Sequence, residues 1–114
     1  MIVITDEKEI VSLGGIIGGM KSAVSDETKN VLLEAAYFDP ISIAATGRKL
    51  QINSDARYRF ERGVDPSFTL SGSHIATKMI LDLCGGEASD IIIAGSAPSL
   101  SLIHISEPTR LRRI

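Results

Sequence analysis

DPSFTLSGSHIATKMILDLCGG, Asp65–Gly86, is the stretch on which the reading of the fold turns. Asp65 before Pro66 has the order of an N-cap acceptor followed by a residue whose ring already holds the first helical φ. Phe68, Ile75, Met79, Ile80 and Leu83 then recur mostly at intervals of three, four and seven, the spacing that gathers apolar side chains on one helical face. Gly85 and Gly86 close the run as a C-cap does. Working upstream, Asp39-Pro40 repeats the start signal and predicts a helix over Ile41–Leu50. The segment between the helices, NSDARYRFERGVDP (Asn53–Pro66), reads as irregular or strand-like. Downstream, DIIIAG (Asp90–Gly95) reads as a strand.

At the N-terminus, IVIT and IVSLGGI flank the charged tip DEKE and predict a hairpin. Gly14, Gly15, Gly18 and Gly19 punctuate the apolar run that follows, which marks a bend or a backbone that something approaches closely. Lys21–Asn30 is a polar loop. VLLEAAYF, Val31–Phe38, has the length and composition of a buried strand, with a helical start left open by periodicity. Strands and helices mixed without a βαβ rhythm make the expected class α+β.

The 114 residues suit one domain, with 44% hydrophobic and 23% charged residues. No apolar run approaches the roughly 20 residues of a spanning helix, and MIVITDEKE lacks the order of a signal peptide. A net charge of −2 argues against a surface that is basic throughout, although a local RNA-contacting patch is compatible with it. The single cysteine, Cys84, sits in an apolar run and is expected to be a small buried side chain.

GGIIGG does not match G-x-G-x-x-G, and no G-K-[ST] follows, so nucleotide binding at this loop is disfavoured relative to a packed bend. Glu34 is more informative. On a strand it would share a face with Leu32, Ala36 and Phe38, and a carboxylate among apolar neighbours must find a partner, shift its pKa or face a cavity. In ARYRFERG, Arg57 and Arg59 would form either a solvated stripe paired with Glu61 or Asp65, or an RNA contact. His74 has no triad or metal partner at a recognisable spacing.

SLGGIIGG, SDETKNVLLEAAYFDP, TGRKLQINSDARYRFERGVDP and LDLCGGEASDI together resemble consecutive motifs of the bacterial phenylalanyl-tRNA synthetase β-subunit family, from about Ile2 to Pro98. They fall in its B3/B4 region. The resemblance implies residues 1–99 as the C-terminal portion of a three-layer α/β sandwich, incomplete at both ends. It implies an editing pocket that hydrolyses tyrosyl-tRNA, with Gly14, Gly15 and Gly18 on the glycine segment. Glu34 would read the tyrosine hydroxyl, and Ser54 and Ala56 would line the far wall. Ser54 stands where some family members carry Thr, which keeps the hydroxyl. Groups that hold the tRNA's terminal adenosine would lie upstream of Met1.

The chemistry makes a second site reasonable. A phenylalanine pocket rejects an added hydroxyl by only about a hundredfold, whereas a site built to bond that hydroxyl discriminates by about 10⁴. The implied partners are phenylalanine tRNA and a synthetase α subunit in an α2β2 enzyme of the cytoplasm, with no membrane. ATP and Mg²⁺ would be used elsewhere in the parent, with no cofactor, metal or catalytic side chain in this segment. The segment alone is expected to be inactive. A free-standing aminoacyl-tRNA deacylase and a structural subunit-contact module are the alternatives. Finally, Leu100–Arg110, LSLIHISEPTR, resembles the translation of an adapter from transposon-based sequencing libraries, so residues 100–114 are expected to be a non-native tail.

Overall fold

The computed structural model describes residues 1–99 of the chain. The expected non-native tail, 100–114, lies outside the described residues. Three short antiparallel strands and three helices make up the described chain.

The hairpin forms where its residues demand it. Strand β1 (Val3–Thr5) pairs with β2 (Ile10–Leu13), setting Val3 opposite Leu13 and Ile4 opposite Ser12, with a bulge between Ile4 and Thr5. At the tip, Asp6 Oδ1 accepts the Lys8 and Glu9 N–H groups at 2.7 and 2.8 Å, the local bond that makes Asp a turn residue. A tight turn follows, with the Ile16 N–H donating to the Leu13 carbonyl at 3.0 Å and Gly15 at φ +68°, a left-handed value that favours glycine. The chain then doubles back as β3 (Ile17–Gly18) along β2. The glycine cluster is thus a bend with a short third strand.

Both Asp-Pro signals start helices as expected. Helix α1 (Pro40–Leu50) is capped by Asp39, whose Oδ2 accepts Ser42 N–H at 2.9 Å and Ser42 Oγ–H at 2.7 Å. The Ser42 hydroxyl and then its N–H hold the Asp39 carboxyl below the usual range. Gln51, at φ +54°, ends the helix. A 3-10 turn at Pro66–Phe68, capped by Asp65, leads into α3 (Thr69–Cys84), and Gly85 at φ +72° stops it.

Four expectations are corrected. Asn53–Pro66 is not strand-like throughout: Asp55–Phe60 forms helix α2, with Ser54 as N-cap. VLLEAAYF forms neither strand nor helix, and its first half is exposed, with Leu32 at 95%. DIIIAG likewise forms no strand, and Ile92 is 93% exposed. The reason is shared: strand composition yields a strand only where a neighbouring ladder accepts its hydrogen bonds, and neither segment has one among the described residues. Cys84, expected to be buried, is exposed at the end of α3.

The core is small. Ile16 from the glycine turn and Ile43 from α1 are 2% and 1% exposed. A Cβ built on Gly15 would meet Phe38, Ile43 and Phe60 at 2.9 to 3.3 Å, so the turn packs directly onto the aromatic pair. Phe38 and Phe60 meet edge to face at 5.2 Å between centroids, a favoured geometry for two rings.

Candidate functional site

Where the hairpin faces α2 and the start of α3, the chain forms an open cleft of about 540 Å³. Its walls come from four places. The glycine turn contributes Leu13, Gly15, Ile17 and Gly18; the irregular segment contributes Glu34, Ala35, Ala36 and Phe38. Helix α2 adds Ala56 and Phe60, which are four apart and therefore on one face. The segment entering α3 adds Val64, Asp65, Phe68, Thr69 and Gly72.

Local causes hold each wall. Helix α2 begins because Ser54 Oγ accepts the Arg57 N–H at 3.0 Å. Its outer side is tied down by Arg57, which donates to Glu61 Oε2 at 2.9 Å, the Ile52 carbonyl at 2.8 Å and Asn53 Oδ1 at 2.9 Å. Gly18 turns an open face to the cleft, since a Cβ there would meet nothing within 4 Å. Gly72 lets the Phe68 ring lie against α3, where a Cβ would come within 3.2 Å of it.

The electrostatics are one-sided. Among the lining residues no Lys, Arg or His occurs, and the ionisable groups are Glu34 and Asp65. Glu34 remains largely solvent-facing by area, yet partial desolvation raises its carboxyl above the ordinary glutamate value of 4.5. Asp65 is held below the ordinary range by the Ser67 hydroxyl and then the Ser67 N–H. The cleft can therefore seat an apolar ring and present a carboxylate acceptor to a hydroxyl or N–H. Its hydroxyls are those of Ser12 and Thr69, and no histidine or cysteine is among the lining residues.

The B3/4 domain family model matches residues 1–85. This chain belongs to the B3/4 domain family. Similar proteins are phenylalanine–tRNA ligase β subunits: that of Cereibacter sphaeroides is 57% identical over 108 residues, 95% of this chain and 13% of the relative. Those of Ruegeria pomeroyi and Paramagnetospirillum magneticum are 53% and 54% identical over 114 residues, all of this chain and 14% of each relative. The B3/4 chain thus spans about one-seventh of the length of the curated relatives it matches.

Of the six residues singled out in the B3/4 sequence, Gly15, Gly18, Glu34 and Ala56 line the cleft together. Gly14 and Ser54 do not. A Cβ at Gly14 would lie 2.9 Å from Ile2 and 3.0 Å from Phe38, which makes this glycine a packing position. Ser54 borders a second depression of about 480 Å³ with Asn53, Asp55, Arg57, Tyr58 and Glu61. Arg57 pairs with Glu61 as one alternative had it, but on a helix and largely out of solvent, with further bonds to the Ile52 carbonyl and Asn53 Oδ1, so the solvated Arg57–Arg59 stripe is borne out only in that one pairing. His74 is exposed on α3. Residues missed by sequence reasoning include Phe60 and Phe68. A compositional signal was there: the chain holds three phenylalanines, and all three line the cleft.

Proposed function

We propose that this chain is a segment of a phenylalanine–tRNA ligase β subunit, and that its cleft forms part of the site that hydrolyses tyrosine wrongly attached to phenylalanine tRNA. The observation that carries the reading is Glu34: of the two carboxylates lining the cleft it is the one that desolvation raises, Asp65 being held by Ser67, and the rest of the lining is mostly apolar side chains and glycine backbone with two hydroxyls, Ser12 and Thr69. A tyrosyl ring fits such walls, and its hydroxyl gives Glu34 the donor that phenylalanine lacks. Glu34 is only partly desolvated in this segment, so the contrast between the two rings rests on the bond that tyrosine's hydroxyl donates and phenylalanine cannot.

The reaction is ester hydrolysis. Water adds to the acyl carbon, the bond to the terminal ribose oxygen breaks, and that oxygen takes the proton. Residues of this chain bind and orient; the attacking water and the tRNA's own hydroxyl supply the rest. In this reading the segment belongs to a three-layer sandwich within a cytoplasmic α2β2 enzyme. Phenylalanine activation, with its ATP and Mg²⁺, takes place in other parts of that enzyme, and the segment by itself has no editing turnover.

The test uses the full-length β subunit assembled with its partner. Glu34→Ala removes the acceptor, and Gly18→Trp fills a direction that is open in the structure. Both are expected to slow release of tyrosine from tyrosyl-tRNA by on the order of tenfold or more while phenylalanine activation is kept. Wild-type clearance by both variants would refute the assignment.

A further inference from the structure

Ser54 makes two hydrogen bonds with separate consequences. Its Oγ accepts the Arg57 N–H at 3.0 Å, which caps α2. The same hydroxyl donates to the Ile16 carbonyl oxygen at 2.5 Å, across 38 positions of sequence. Among the described residues this is the one hydrogen bond that joins the hairpin to the helices. Its two ends belong to opposite walls of the cleft: Ile16 lines the glycine wall between Gly15 and Gly18, and Ser54, outside the lining, precedes the lining residue Ala56 by two positions. The Ile16 end is anchored, because that side chain is 2% exposed.

We propose that Ser54 is a positioning residue of the cleft, its hydroxyl fixing the separation of the glycine wall from α2 and so the fit of an aromatic ring beside Glu34. The proposal rests on the editing reading above. It assigns Ser54 no contact with the substrate. The requirement is chemical: one small group must accept from the helix N–H and donate to the carbonyl together. Serine and threonine hydroxyls do both, alanine does neither, and aspartate caps the helix but carries no proton to donate near neutral pH. A shift of about an ångström between walls is enough to cost up to about a hundredfold in a positioned reaction.

Three variants in the assembled full-length enzyme separate clasp from cap. Ser54→Ala and Ser54→Asp are expected to lower kcat/KM for release of tyrosine from tyrosyl-tRNA by about tenfold, and Ser54→Thr to stay within about twofold of wild type. Retained phenylalanine activation in each reports that the enzyme is folded. Wild-type clearance by Ser54→Ala, or a Ser54→Asp enzyme as active as Ser54→Thr, overturns the proposal, since the hydroxyl would then matter as a cap or not at all. Glu34→Ala run alongside distinguishes the two levels. An impaired Glu34→Ala with an unimpaired Ser54→Ala removes only the clasp. An unimpaired Glu34→Ala with the Ser54 pattern intact removes the hydroxyl-reading role and leaves the clasp standing.

Discussion

Gly47→Ala should weaken helix α1 although alanine is the better helix former. In an open helix interior the exchange would stabilise by about 1 kcal/mol. Position 47 is buried, however, and a Cβ there would run into Arg57 at Nε, Cδ and Cζ. Arg57 cannot swing away freely. Its side chain is 14% exposed and is held by Glu61 Oε2 at 2.9 Å, the Ile52 carbonyl at 2.8 Å and Asn53 Oδ1 at 2.9 Å. Hydrogen bonds to a charged group contribute about 1.5–3 kcal/mol each when kept from water, and partial relaxation would spare some of them. A net destabilisation of about 1–3 kcal/mol is therefore expected after the propensity gain is subtracted. Amide hydrogen exchange of α1 in the full-length β subunit reads this as a lower local opening free energy. The partner experiment is sharper: in an Arg57→Ala background the clash is gone, and Gly47→Ala should turn neutral or stabilising. Additive effects of the two substitutions would refute the packing argument.

Desolvation raises the Glu34 carboxyl above 4.5, so the folded chain binds that proton more tightly than the unfolded one. Stability from this group is accordingly greater at low pH and declines as pH rises from 4.5 through the folded value, and Glu34→Gln should remove that slope in a pH series of unfolding curves. Clearance of tyrosyl-tRNA should show an acid limb inflecting above the ordinary glutamate value, and Glu34→Gln should flatten it; an unchanged limb would exclude Glu34 as its source. Asp39→Ala, which removes the acceptor for Ser42, should cost α1 about 1 kcal/mol, measurable by the same exchange experiment. Deleting residues 100–114 should leave the melting temperature unchanged, and a fall of several degrees would contradict the non-native reading of that tail.

What was legible in the sequence depended on whether its cause was local. Asp39-Pro40 and Asp65-Pro66 carry their own explanation, since the cap acceptor and the fixed φ lie in adjacent residues, and both helices follow. Helix α2 was hidden because alternation of Arg57 and Arg59 with Tyr58 and Phe60 imitates a strand. Its cap, Ser54, is one serine without the glutamate that would complete a capping box; Arg57 stands there instead. VLLEAAYF and DIIIAG failed for the opposite reason. Their composition is local, but a strand is a relation between two segments. The site behaved likewise: a carboxylate in an apolar run is visible in one dimension, whereas the gathering of Phe60 and Phe68 into the same cleft as Glu34 depends on how distant segments come together. The Ser54–Ile16 bond, spanning 38 positions, had no sequence signal at all.

That spacing also orders events in time. The strands pair with chain neighbours inside the first 18 residues, and α1 meets α2 across a short connection, so both pieces can form from nearby contacts within microseconds or so. Bringing the glycine turn onto α2 requires closing a much longer loop, whose entropy is lost before any contact compensates it. The two halves of the cleft should therefore assemble separately and meet late, and an interruption of folding at that stage would leave a formed hairpin and formed helices with no cleft between them.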